Sequence, residues 1–168
     1  HGSCFTIELD VAVIDDSMDE TEVTQAPAIA DLRILLVEDI ALNVTVATAM
    51  LNKLGHQVDA AMTGTEALEK FQPGRYDLVL LDIQLPDMTG FDVADELRRR
   101  YFEQLPPLVA LTANLINNQQ QYQQHGMQSV IGKPLSLDNL RKTLNELFIV
   151  CSLPVEPVLT DSQEKHLL

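Results

Sequence analysis

The run Ile34-Leu35-Leu36-Val37 passes directly into Glu38-Asp39, and the run Tyr76-Asp77-Leu78-Val79-Leu80-Leu81 passes directly into Asp82. Two further strand-like runs also end in polar residues: Leu108-Val109-Ala110-Leu111 in Thr112, and Ser129-Val130-Ile131-Gly132 in Lys133-Pro134. Near-continuous apolar runs describe strands covered on both faces, the habit of parallel sheets. Such sheets bind their ligands beyond the carboxyl ends of the strands. All four polar ends would therefore meet along one edge, bringing acids, a hydroxyl and an ammonium together.

The remaining pattern supplies the covering helices. Strand and helix alternate five times between Leu32 and Phe148. The first helix spans about Ile40 to Leu54 and stops at Gly55, a residue suited to the left-handed position past a helix end. Gln57 to Ala61 is short and less apolar, as an edge strand would be. Further helices are expected over Thr65 to Phe71, Phe91 to Tyr101, Ile116 to His125, and onward from Ser136 as N-cap. Arg98-Arg99-Arg100 falls in the last turns of the third, where cations suit the helix dipole. Alternation of this kind predicts an α/β fold with a parallel sheet sandwiched between helices.

Charge is spread unevenly. Residues 1–31 hold eight acids and no Lys or Arg, whereas residues 32–150 hold fourteen acids against ten bases. The folded part is thus only mildly acidic, which argues against nucleic acid or an anionic membrane as a direct partner. The acidic, Pro-punctuated stretch over 11–31 reads as a linker, and a second linker is expected at Pro154-Val155-Glu156-Pro157. Cys4 and Cys151 do not make a disulfide framework or a zinc site, and a reducing compartment fits. No apolar run reaches the length of a membrane span. The chain does not begin with Met and is expected to be a piece of something longer.

Three carboxylates cannot crowd together ionised unless one takes a proton or a cation sits among them. Oxygen-only donors without clustered His or Cys favour Mg²⁺. Asp82 would then be the nucleophile, forming an acyl phosphate, with Lys133 and Thr112 neutralising and orienting the phosphoryl oxygens. Each residue has a plainer alternative. Asp39 and Thr112 could cap helices, and Lys133 could be a surface lysine. Agreement among four independent strand ends favours the site.

These stretches resemble the receiver domains of two-component signalling. The resemblance is carried by Leu35-Leu36-Val37-Glu38-Asp39, by Leu80 to Gly90 with its Asp82-Ile83-Gln84-Leu85-Pro86-Asp87-Met88-Thr89-Gly90, by Ala110-Leu111-Thr112-Ala113 and by Lys133-Pro134. Asn43 is typical of receivers fused to sensor kinases. The resemblance implies a flavodoxin-like (βα)5 fold with sheet order 2-1-3-4-5. It implies Asp82 as phosphoacceptor, with Thr112 and Lys133 on the phosphoryl group and Ala113 leaving it room. Glu38, Asp39, Asp82 and the backbone carbonyl of Gln84 would bind Mg²⁺, Glu38 mainly through water. The Lys133-Pro134 bond would be cis.

It also implies the surroundings. A receiver over 32–150 would follow a tag remnant and the last strand of a kinase ATP-binding domain in residues 1–10. Residues 151–168 would hold a linker and the start of a phosphotransfer domain. Partners would be a histidine kinase core and a histidine phosphotransfer domain, in the cytoplasmic part of a hybrid sensor kinase anchored in a bacterial inner membrane. The fragment itself would be a phosphoacceptor and not a kinase. One position departs from the pattern: Val130 stands where many receivers carry Tyr or Phe as a rotamer switch coupled to the residue matching Thr112.

The first helix is apolar almost all round. Ile40, Val44, Ala47, Leu51 and Leu54 form one stripe, and Leu42, Val46, Ala49 and Met50 another. A helix on a sheet buries one broad face, so apolar surface is left over for docking, and periodicity alone allows either stripe to face the sheet. Ile40, Leu42 and Val46 are the expected partner-binding residues. The fourth helix, with Gln119-Gln120-Gln121-Tyr122-Gln123-Gln124, is polar and expected to be lightly anchored. Two other readings compete. A Mg²⁺-dependent aspartyl phosphatase would want a second acid two residues after its nucleophile, where this chain has Gln84. A stand-alone response-regulator switch would need an output domain after Phe148.

Overall fold

The computed structural model describes residues 29, 31–114 and 119–149. Five strands, β1 (Arg33–Val37), β2 (Gln57–Ala61), β3 (Leu78–Asp82), β4 (Leu108–Thr112) and β5 (Ser129–Gly132), form one sheet of order β2-β1-β3-β4-β5. All neighbouring pairs are parallel. Helices α1 (Ala41–Lys53), α2 (Gly64–Lys70), α3 (Gly90–Tyr101), α4 (Gln119–Gln124) and α5 (Leu137–Ile149) fill the crossovers, with a short 3-10 turn over Phe102–Gln104. This is the flavodoxin-like order that the pattern and the resemblance anticipate. The expected terminal segments, 1–10 and 151–168, lie outside the described residues, as does most of the linker over 11–31.

Strand side chains alternate between faces, and every position of β3 and β4 is buried. Leu35, Val37, Val79, Leu81 and Ala110 share one core with Ala67 of α2, Val93, Ala94 and Leu97 of α3, and Tyr122 of α4. Ile34, Leu36, Leu78, Leu80, Val109 and Leu111 share the other with Ala47 and Leu51 of α1 and Leu140 and Leu144 of α5. The sheet is therefore the middle of three layers. Strand β2, with burial only at Ala61, is the edge its composition predicts.

Local chemistry sets the helix ends. Thr63 accepts from the Glu66 amide to cap α2, and Thr89 and Asp92 close a reciprocal capping box at α3. Ser136 Oγ accepts from Asn139 N at 3.2 Å, the expected cap of α5. Past α1, Gly55 adopts φ +89°, where a side chain is disfavoured. Helix α1 begins at Ala41, one residue later than expected. Ile40 flanks it without a side-chain cap, so Asp39 is not spent as one.

The two stripes of α1 separate only in part, since Ile40 of the first is exposed and Met50 of the second packs on the core. Ala47 and Leu51 are buried and Val44 and Leu54 pack beside them. Ile40, Leu42 and Val46 are 52%, 71% and 41% exposed. Ile40 is thus exposed together with Leu42 and Val46, although its spacing groups it with Ala47 and Leu51.

Candidate functional site

The strand order reverses between β1 and β3, and a crevice opens at their carboxyl ends. Glu38 and Asp39 follow β1, Asp82 ends β3, Thr112 ends β4, and Lys133 follows β5. One oxygen each from Glu38, Asp39 and Asp82 lies within 4.8 Å of the others. Glu38 is 1% and Asp82 4% exposed. Lys133 reaches across the edge, its Nζ 2.5 Å from Asp82 Oδ2 and 2.6 Å from Glu38 Oε2. The Lys133-Pro134 bond is cis, as the resemblance implies. Lys133 N also donates to Thr112 O at 2.7 Å, which ties the β5 end to the β4 end.

Asp82 and Glu38 are each fixed by backbone or amide donors. The Gln84 amide donates to Asp82 Oδ1 at 3.0 Å. Asn43 Nδ2 donates to Glu38 Oε1 at 3.0 Å, and the Ile40 amide to the same oxygen at 3.3 Å. The other Glu38 oxygen, Oε2, faces Lys133 Nζ at 2.6 Å and has no second partner among the described residues. A buried oxygen with unused lone pairs costs stability unless something binds it. Three clustered carboxylates, one with such an oxygen, are the donor set of a hard divalent cation.

Electrostatics follow burial. Removal from water pushes the Asp82 carboxyl above its ordinary pKa, against the downward pull of Lys133 and the Gln84 amide. Burial alone would lower Lys133. Its contacts with Asp82 and Glu38 more than offset that and hold it above its usual value. A cation among the acids would replace the solvation that Asp82 has lost.

Gly90 is required beside Asp82. Its amide donates to Ile83 O at 2.9 Å, and a Cβ there would run into the carbonyl oxygen of Asp82. Asp87 secures the same loop from outside. It accepts from Gly64 N at 2.9 Å, Thr65 N at 2.8 Å and Thr65 Oγ1 at 2.7 Å, joining the loop to the start of α2. Those donors hold the Asp87 carboxyl down at about 2, the Thr65 hydroxyl foremost.

On the other side, Asp82, Gln84, Phe91, Thr112, Ala113 and Tyr122 line a cleft of about 240 Å³. The Thr112 hydroxyl is turned into its own loop, donating to Asn114 O and accepting from Asn114 N, both at 3.2 Å. Thr112 therefore reaches the site as expected, but with its hydroxyl engaged elsewhere. Phe91 and Tyr122 were not anticipated as cleft residues. The available signal was Tyr122 itself, the one apolar residue in a run of glutamines.

Sheet order, crevice and acid–lysine cluster together describe a receiver. The chain belongs to the response regulator receiver domain family, whose model matches residues 34–145. It is similar to the aerobic respiration control sensor protein ArcB of Escherichia coli (strain K12), 47% identical over 165 residues, covering 98% of this chain and 21% of that protein. It is also similar to sensor histidine kinase AruS of Pseudomonas aeruginosa, 37% identical over 150 residues, covering 88% of this chain and 15% of that protein. The chain thus spans about a fifth or less of the length of these relatives.

Among solved structures, chemotaxis protein CheY4 of Vibrio cholerae superposes with a TM-score of 0.64 at 28% identity, covering 70% of this chain and 98% of that one. The receiver domain of a sensor histidine kinase from Pseudomonas aeruginosa PAO1, solved with a magnesium ion coordinated in its active-site cleft, gives 0.63 at 34% identity, covering 70% and 97%. Among the described residues no helix is long and apolar enough to cross a membrane.

Proposed function

We propose that this chain is a phosphorelay receiver in which Asp82 accepts a phosphoryl group from a phosphohistidine and passes it to a histidine phosphotransfer domain. The observation that carries this is the buried contact of Lys133 with both Glu38 and Asp82, beside Asp39. In the transfer, an Asp82 carboxylate oxygen attacks phosphorus as the nitrogen–phosphorus bond breaks. An acyl phosphate forms, and the imidazole leaves with its electron pair and takes up a proton. Such transfers ask the protein chiefly for positioning and charge neutralisation. Lys133 neutralises a phosphoryl oxygen, the Thr112 hydroxyl donates to another, and Ala113 leaves them room. Asp39, Asp82 and the Gln84 carbonyl would hold Mg²⁺, with Glu38 acting through water; when bound, the ion neutralises charge on the phosphoryl oxygens.

The partner surface adjoins this site. Leu42 and Val46 of α1 line a groove of about 430 Å³ with Glu38, Asn43, Lys133, Pro134 and Leu135. Exposed apolar side chains around it mark a docking face. Together with Ile40 they suit the helical bundle of a phosphotransfer domain, which would bring its histidine over Asp82. The fragment fits a cytoplasmic receiver of a hybrid sensor kinase, spanning 32–150 between a kinase ATP-binding domain and a phosphotransfer domain.

Intact mass after incubation with a small phosphodonor and Mg²⁺ tests the acceptor. Wild type should gain one phosphoryl group, and neither Asp82→Asn nor EDTA-treated wild type should gain any. Equal uptake by Asp82→Asn would remove Asp82 from the role.

A further inference from the structure

The sheet has an edge at β2, and the backbone there can be followed residue by residue. Gln57 N donates to Leu32 O, and Ala61 O accepts from Glu38 N, so the odd-numbered residues of β2 bond towards β1. Backbone groups of successive residues turn to opposite sides of a strand. Val58, Ala60 and Met62 therefore turn theirs away from the sheet. An unpaired row of this kind is a template for a further strand.

Two side chains of α2 occupy the carboxyl half of that row. Lys70 Nζ donates to Ala60 O at 2.5 Å, and Glu66 Oε2 accepts from Met62 N at 2.7 Å. Lys70 Nζ also meets Glu66 Oε1 at 2.6 Å, so the two contacts form one brace. Glu66 is the third residue of α2, after the N-cap Thr63. A Glu there commonly returns to the N-cap amide; this one reaches a residue further back. Lys70 first, and the Met62 amide after it, hold the Glu66 carboxyl below its ordinary pKa, so it is ionised at neutral pH. An exposed ion pair adds little stability of its own, which leaves its placement on the edge to be explained. We propose that Glu66 and Lys70 guard the β2 edge, holding off antiparallel pairing with β2 of a second copy of this chain.

The register identifies the occupant. Centred on Asp59, two antiparallel copies of β2 would set Asp59 against Asp59, and like charges directly opposite are destabilising. Centred on Val58, the pairing would have to run through His56, which is buried and lies before the strand. Centred on Ala60, the strand complements itself. Val58 faces Met62 of the second copy, Ala60 faces Ala60, and Asp59 faces Ala61. The pairs on one side are all apolar, and they cover Met62, which is 37% exposed. This register draws its bonds from Ala60 O and Met62 N, the two groups that the brace holds. Lys is a common means of blunting a sheet edge, and here it acts through a bond to the edge itself.

Sedimentation velocity of the full 168-residue chain over a range of concentrations tests the guard. Glu66→Ala with Lys70→Ala should self-associate on the order of tenfold more tightly than wild type, the scale of freeing two backbone groups per copy for new hydrogen bonds. Its mass should rise from 18.7 kDa towards double that value. Adding Ala60→Pro should abolish the gain, because Pro removes only an outward amide and is tolerated on an edge strand. Asp138→Ala with Arg141→Ala, which deletes an exposed ion pair of α5, should behave as wild type. A protein without the brace that associates no more than wild type overturns the proposal. So does association that survives Ala60→Pro, or that the α5 variant matches. Should the doubly substituted protein not fold, amide hydrogen exchange of wild type decides. Met62, bonded to Glu66, should exchange more slowly than Val58 and Ala60. Equal exchange at all three overturns the proposal.

Discussion

Charged pairs occur on both sides of this sheet, and they are built differently. Towards the amino ends of the strands, Arg33 binds Asp77 at 3.2 Å and Arg75 binds Asp59 at 3.0 Å, with all four side chains at least one-third exposed. Each acid there has its own arginine. Asp59 also accepts from the Tyr76 hydroxyl at 2.9 Å, and Arg33 donates to Gly74 O at 2.9 Å. At the carboxyl ends, Glu38 and Asp82 share one Lys133 with Asp39 clustered beside them, and the pairs it makes are nearly dry, at 1% and 6% exposure for the Glu38 and Asp82 side chains. Folding alone would favour the first arrangement, because buried charges cost several kcal/mol each in desolvation unless they are fully paired. An edge that carries surplus buried charge is shaped for a charged ligand, and the amino edge is the internal control.

The largest separation between the two edges should come from removing one cation on each. Lys133→Ala should slow phosphoryl uptake on the order of 10²-fold or more, the scale for losing a preorganised charge beside a reacting oxygen. Arg75→Ala should leave the uptake rate unchanged. Rates from intact mass with a small phosphodonor test both, and a slowed Arg75→Ala protein would break the distinction. Removing acids should change the sign of the effect on stability. In EDTA, Asp39→Asn should raise unfolding free energy by about 1 kcal/mol, since one of three crowded charges is gone. Asp59→Asn should lower it by up to about 1 kcal/mol, the range of an exposed pair. Urea denaturation with and without Mg²⁺ sharpens this further. Wild type should be stabilised by the ion through ligand linkage, and Asp39→Asn should be stabilised less.

How far the sequence carried these conclusions depended on what each residue answers to. Strands β1, β3 and β4 are legible because burial on both faces demands uninterrupted apolar residues, and the polar residue after each run marks the functional edge. Glu38, Asp39, Asp82, Thr112 and Lys133 all arrive there. Periodicity could not say which stripe of α1 meets the sheet, because both stripes are apolar; only packing places Ala47 and Leu51 inside and Leu42 outside. Ile40 precedes the first helical turn and does not follow its rotation, so it is exposed beside Leu42 although its spacing groups it with Ala47 and Leu51. Tyr122 and Phe91 were missed as cleft residues because their convergence depends on how α3 and α4 pack, a contact between elements that no local pattern encodes. Asp87 was read only as part of the motif, and its grip on α2 spans 22 residues from Thr65.

Titration offers the finest comparison, because Asp77 and Asp82 are displaced in opposite directions. Asp77 sits below its ordinary value. Its partial burial works against this but is outweighed by the Arg33 amide and guanidinium. Asp82 sits above, because burial outweighs Lys133. The linkage signs follow. Asp77 contributes stability that is present above the unfolded value of 3.8 and is lost as pH falls through its lower folded pKa. Asp82 does the reverse in the metal-free protein: the folded state binds its proton more tightly, so stability falls as pH rises from 3.8 through its higher folded pKa. The Asp77 effect should be no more than a few tenths of a kcal/mol, since an exposed pair is screened by solvent. Carboxyl carbon resonances followed from pH 2 to 7 in EDTA should show Asp77 titrating before Asp82. Mg²⁺ should then pull the Asp82 midpoint down and leave Asp77 where it was, because only one edge has a place for the ion. Equal displacement of both midpoints would mean that the ion acts by general screening, and the carboxyl edge would lose its claim to be the binding edge.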